Sequence, residues 1–90
     1  MDSHLAVKLR AIRKAEGLTP KEFSLLVNIP VGTVRNYEAG HNGIGLPIVQ
    51  KILLVERFRK YTLWLMIGKT CEAAGQISPA LSHSGHEKTE

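Results

Sequence analysis

Residues 19–40 read Thr19-Pro20-Lys21-Glu22-Phe23-Ser24-Leu25-Leu26-Val27-Asn28-Ile29-Pro30-Val31-Gly32-Thr33-Val34-Arg35-Asn36-Tyr37-Glu38-Ala39-Gly40. This order specifies two short helices joined by a tight turn. Thr19 caps the first helix, and Glu22, three residues on, completes a capping box. Pro20 takes the first helical position, where its missing N–H is not needed. Phe23, Leu26 and Val27 recur at i, i+3 and i+4 and mark an inward face, with Ser24 as its small residue. Asn28 accepts a positive φ more readily than most residues and marks the turn. Ile29 plugs that turn. Pro30 opens a second helix running to about Ala39, where Gly40 stops it. Val34 and Tyr37 point inward in that helix, so Val31, Gly32, Arg35 and Asn36 point outward.

The flanks extend the same pattern. Ser3 is placed to cap an N-terminal helix with apolar positions Leu5, Leu9 and Ile12, and Val7 as a further candidate. Lys8, Arg10 and Lys14 read as its solvated faces, and Gly17 ends it. After a polar, glycine-rich loop from His41 to Gly45, a fourth helix begins near Pro47 and carries Ile48, Ile52, Leu53 and Val55. A fifth begins near Arg59 or Lys60, holds Leu63, Trp64 and Ile67, and closes at Gly68. From Thr70 onward Gly, Ser, Pro and His dominate and periodicity is lost. The expected organisation is an all-α domain over 1–69, built of five short helices, followed by a flexible tail over 70–90. No segment reads as a strand and no internal repeat is present.

Ninety residues suffice for one small domain with a modest core. The formal charge is +4. Through Gly68 there are ten Lys and Arg against five Asp and Glu, so the basic excess lies in the part expected to fold. A single cysteine, Cys71, excludes an intramolecular disulfide and fits a reducing compartment. The N-terminus lacks the apolar stretch of a signal peptide, and apolar runs such as Ile52 to Val55 are far too short to span a bilayer. A cytoplasmic location without membrane association is expected. Ser24, His41 and Glu38 form no believable triad, and Cys71, His83 and His86 lack a scaffold and a fourth ligand. No catalytic residue, metal site or cofactor is therefore expected, and the chain does not read as an enzyme.

The outward positions of the second helix of the pair carry a different chemistry. A helix seated in the major groove needs short or polar side chains at i, i+1, i+4 and i+5, which Val31, Gly32, Arg35 and Asn36 supply. Arginine can hold guanine O6 and N7, asparagine adenine N6 and N7, and valine a thymine methyl. Gly32 permits close approach. Thr33 lies at the edge, within reach of a phosphate or a methyl group. Lys21, at a helix start, opposes its own helix dipole unless an anion lies nearby.

Residues 5–68 resemble the Cro/repressor-type (XRE-like) helix-turn-helix family. The resemblance rests on Gly17-Leu18-Thr19, Glu22-Phe23-Ser24 and Val34-x-x-Tyr37-Glu38-x-Gly40, in order and at family spacing. The stretch Tyr61-Thr62-Leu63-Trp64-Leu65-Met66-Ile67-Gly68 resembles the ending common in phage-type repressors. The resemblance implies a compact, five-helix, lambda-repressor-like domain. It implies a repressor that binds a palindromic double-stranded DNA operator as a homodimer through Lys21, Val31, Gly32, Thr33, Arg35, Asn36, His41 and Asn42. An ion pair between Arg13 and Glu38 is implied as a structural tie.

Pairing of subunits is implied around the fifth helix. Leu63, Leu65, Met66 and Ile67 together exceed what a small core can hide, which places Met66 and Ile67 at a partner surface, with Trp64 as core or contact. The alternative class is an antitoxin that represses its own operon, so a toxin or a small protein antirepressor is a further candidate partner. The chain departs from the family in three places. Pro20 stands where a phosphate-contacting Gln is usual, Asn28 replaces the turn glycine, and the loop from His41 to Gly45 lacks the usual Lys or Arg.

Overall fold

The computed structural model describes residues 2–41 and 43–79, with Asp2 and Ser3 described by backbone alone. Five α-helices occur among these residues: α1 (Asp2–Ala15), α2 (Pro20–Val27), α3 (Val31–Glu38), α4 (Leu46–Leu53) and α5 (Thr62–Ile67). A 3₁₀ segment, Glu56–Tyr61, leads into α5, and a shorter one spans Glu72–Ala74. No strand occurs among the described residues, which contain only an isolated antiparallel bridge between Cys71 and Gln76. The all-α fold expected from the sequence is the fold found.

Helix α1 starts at Asp2, so Ser3 lies inside the helix rather than at its cap. Its buried stripe is Ala6, Leu9, Ile12 and Arg13. Val7 lies about 200° around the helix from Leu9, which explains its 67% exposure. Gly17 ends the helix at φ 72°, a conformation that disfavours any residue with a Cβ.

Helix α2 has the expected N-terminus. Thr19 Oγ1 accepts from the Glu22 N–H at 3.1 Å, and Glu22 Oε1 accepts from the Thr19 N–H at 2.9 Å. The buried face is narrower than the apolar pattern suggested. Phe23, Ser24 and Val27 are inside, whereas Leu26 is 40% exposed. An eight-residue helix presents one ridge to the core, and Leu26 falls on its shoulder. The Ser24 hydroxyl donates to the Lys21 carbonyl and is satisfied within its own turn. Asn28 adopts φ 59° and ψ 47°, and the N–H groups of Asn28 and Ile29 both reach the Ser24 carbonyl. Lys51 Nζ donates to the Asn28 carbonyl at 3.0 Å and ties α4 to this turn. Ile29 is buried, as a plug should be.

The second half of the core differs from the sequence expectation. The expected single helix from Arg59 or Lys60 is divided into the 3₁₀ segment and α5. In a 3₁₀ turn residues i and i+3 eclipse, so Phe58 and Tyr61 point the same way, and both are wholly buried. Leu65 continues that line into α5. Leu63 and Trp64 are only half-buried, and Ile67 is exposed. The Phe23 and Phe58 rings meet at 5.2 Å between centroids, inclined at 42°. Ile44 and Val49 add core that the loop and the fourth helix had not advertised, while Ile48, Leu53 and Val55 are half-buried.

The chain beyond Gly68 also departs from expectation. Gln76 Oε1 accepts from the Leu63 N–H at 2.9 Å, Gln76 Nε2 donates to the Arg59 carbonyl, and the Ile77 N–H donates to the Lys60 carbonyl at 2.8 Å. Ile77 packs against the core. Residues 71–79 therefore lie on the domain instead of trailing from it. The start of α5 leaves N–H groups unpaired within the helix, and the Gln76 side chain supplies one with an acceptor. Residues 80–90, with His83 and His86, lie outside the described residues. No described helix is long and apolar enough to cross a membrane.

Candidate nucleic-acid interface

Helix α3 presents its outer face because other elements hold its inner one. Val34 is wholly buried and Tyr37 packs against the core. At its C-terminal end, Glu38 accepts from Arg13 Nε at 2.8 Å and from Arg13 Nη2 at 3.0 Å. Arg13 Nη1 donates to the Leu18 carbonyl at 2.7 Å, so one guanidinium joins α1, the approach to α2 and the end of α3. The two side chains retain only 10% and 9% of their accessibility. Gly40 closes the helix at φ 78°.

On the outer face, Gly32, Arg35 and Asn36 are exposed and Val31 and Thr33 are half-buried. Neither the Arg35 nor the Asn36 side chain is committed to a hydrogen-bond partner among the described residues. A Cβ built on Gly32 meets nothing within 4 Å, and its φ is not positive. The fold itself therefore gives no reason for glycine there. Glycine costs about 1 kcal/mol relative to alanine inside a helix, so Gly32 weakens α3 without relieving any internal contact.

Lys21 is exposed in the first turn of α2 and lines a groove of about 400 Å³ with Ser24, Leu25, Asn28, Ile29, Pro30 and Val31, beside the start of α3. His41 is exposed, but its backbone N–H is not free. It donates to the Asn36 carbonyl at 2.9 Å and helps close α3, so only its imidazole remains available for a contact. Asn42 lies outside the described residues.

A second exposed region lies around α5. Met66 is 47% and Ile67 63% exposed. Met66 borders an apolar groove of about 330 Å³ that also involves Leu5, Leu46 and Val49. Trp64 is half-buried beneath Lys8, whose Nζ lies 5.1 Å from the ring centroid and donates to the Trp64 carbonyl at 2.9 Å. Lys8 is thus a helix-ending donor and not the solvated residue expected of it.

The sequence offered no sign of a polar junction behind the site. Glu16, just past α1, receives Tyr61 Oη at 2.6 Å, Arg57 Nε at 2.9 Å and Lys60 Nζ at 3.0 Å. Burial raises the pKa of the Glu16 carboxyl. The hydrogen bonds from Tyr61, Arg57 and Lys60, with the Lys60 charge, outweigh burial and leave it below the usual carboxylate value. These partners lie more than forty residues away in sequence, a separation that periodicity does not bridge. No group of three or more His, Cys, Asp or Glu able to hold a metal occurs among the described residues.

Residues 9–55 match the helix-turn-helix family model. The whole chain is also similar to the repressor protein C of Escherichia phage P2, with 35% identity over 89 residues covering 99% of this chain and 90% of that protein. With α2, the Asn28 turn and α3 arranged as above, the chain belongs to the XRE-type helix-turn-helix family of DNA-binding proteins.

Proposed function

We propose that this protein is a sequence-specific transcriptional repressor of the phage or prophage type, which binds a palindromic operator as a dimer. The outward face of α3 carries the reading. Gly32, Arg35 and Asn36 are exposed there, and neither the Arg35 nor the Asn36 side chain has a hydrogen-bond partner among the described residues. Arg35 reads a guanine through O6 and N7, and Asn36 an adenine through N6 and N7. Val31 and Thr33 contact methyl groups or sugar–phosphate at the groove edge, and Gly32 lets the helix backbone come close. Lys21 and the His41 imidazole contact phosphate, with Asn42 as a further candidate. Similarity to a phage repressor over nearly the full chain supports repression as the outcome.

Two subunits joined through Met66 and Ile67, with Trp64 at the margin, place two copies of α3 on one face of the duplex. Half-sites then lie about 34 Å apart, one helical turn, or at a multiple of that. Repression follows when such an operator overlaps a promoter. Selection of bound fragments from a random DNA pool, followed by a footprint of the winner, tests this reading. It predicts a symmetric motif protected in two major grooves on one face of the duplex, one helical turn or a whole multiple of it apart. Recovery of unrelated sequences with no shared motif would refute it.

A further inference from the structure

Arg10 takes part in none of the contacts described above. It is exposed on α1 and lines two adjoining grooves. The first, about 230 Å³, is shared with Arg13, Arg35, Glu38 and Ala39. The second, about 290 Å³, runs along α1 past Val7, Ala11 and Lys14 and also reaches Glu38. Three guanidinium groups and one carboxylate thus border the first groove, and that carboxylate is already held in a bidentate pair by Arg13. The charge left over belongs to Arg10 and Arg35. Like charges gathered at one groove disfavour each other until an anion enters.

The groove lies beside the last turn of α3, whose dipole end is negative. That end of the helix attracts no anion by itself, so a phosphate there depends on the Arg10 guanidinium, while Arg35 reaches past it to a base. The groove of Lys21 borders the other end of α3, at Pro30 and Val31. A duplex strand passing α3 would therefore meet a cation at each end of the helix.

We infer that Arg10 is a DNA-backbone contact that holds an operator phosphodiester in the groove between α1 and α3, beside Arg35. This rests on the proposed DNA-binding function and adds to it a contact from α1 that carries affinity and not sequence preference.

The test compares the full-length chain with its Arg10→Ala and Arg10→Lys variants on the selected operator, across a salt series and a panel of single-base-pair variants. Arg10→Ala should bind roughly five- to tenfold more weakly at about 0.1 M salt, equally across the panel, with a salt slope shallower by about 0.9. Arg10→Lys should keep the wild-type slope. All three proteins should melt alike, since Arg10 is exposed. Unchanged affinity and slope in Arg10→Ala would overturn the inference, as would a loss confined to one base position. Wild-type protein that binds no DNA at low salt would instead overturn the parent reading together with this one.

Discussion

Arg13 and Glu38 form a two-pronged, nearly buried ion pair, with Nε–Oε2 at 2.8 Å and Nη2–Oε1 at 3.0 Å, across the gap between α1 and the last turn of α3. Bidentate geometry fixes direction as well as distance, so the pair sets how α3 sits on the domain. Removing one partner strands a buried charge. Glu38→Ala is expected to lower the unfolding free energy by about 3–5 kcal/mol, read from chemical denaturation. A paired Arg13→Met/Glu38→Leu change should cost clearly less than the two single changes added together. Strict additivity would show that the two residues act independently.

Gly32 gives a prediction in which stability and binding move in opposite directions. The space around it is open and its backbone is ordinary, so Gly32→Ala should stabilise the protein by about 0.5–1 kcal/mol. The added methyl projects from the exposed face of α3, where close approach to the groove is proposed, so operator affinity should fall. Thermal melts and operator titrations of the same preparation decide the matter. A variant that is both more stable and equally tight would mean that no DNA surface approaches Gly32.

Glu16 makes stability depend on pH in a defined direction. Its folded pKa lies below its ordinary value. The stabilisation is therefore complete above the unfolded pKa and is lost as pH falls through the folded one. Melting temperatures recorded from neutral pH down into the carboxylate range should fall in the wild type. They should fall less steeply in Glu16→Gln, which starts lower because Arg57 and Lys60 lose their counter-charge. Parallel curves for the two proteins would assign the acid sensitivity to other carboxylates.

The exposed pair Met66 and Ile67 locates the proposed subunit contact. Met66→Lys or Ile67→Asp should shift sedimentation equilibrium toward monomer and weaken operator binding. The monomer should stay folded, since neither side chain fills the core. An undiminished dimer in both variants would place the interface on another surface.

Local chemistry was the legible part of this chain. The capping box at Thr19 and Glu22, the left-handed Asn28, the Ile29 plug and the glycine stops after α1, α3 and α5 are each written within a few residues of the feature they create. The outward placement of Gly32, Arg35 and Asn36 follows from helical period once Val34 and Tyr37 are read as inward. Long-range contacts were not legible. Phe58, Tyr61 and Leu65, at i, i+3 and i+7, form one buried stripe that a helix begun at Arg59 or Lys60 cuts into, and Ile67 lies off that stripe. The packing of residues 71–79 depends on the Gln76 amide meeting groups at positions 59 and 63. The Glu16 junction and the groove shared by Arg10 and Arg35 bring together elements distant in sequence. Family resemblance reached one such pairing, Arg13 with Glu38, which no local pattern would have supplied.

The central claim is that the outer face of α3 reads bases. Arg35→Ala titrated against every single-base-pair variant of the selected operator measures this directly. The account predicts a loss of about 1–3 kcal/mol on the parent operator. It also predicts that preference disappears at one base pair, and at its symmetry mate, while discrimination persists at all other positions. An Arg35→Ala protein that keeps the full wild-type pattern of preferences, whatever its affinity, would contradict the claim.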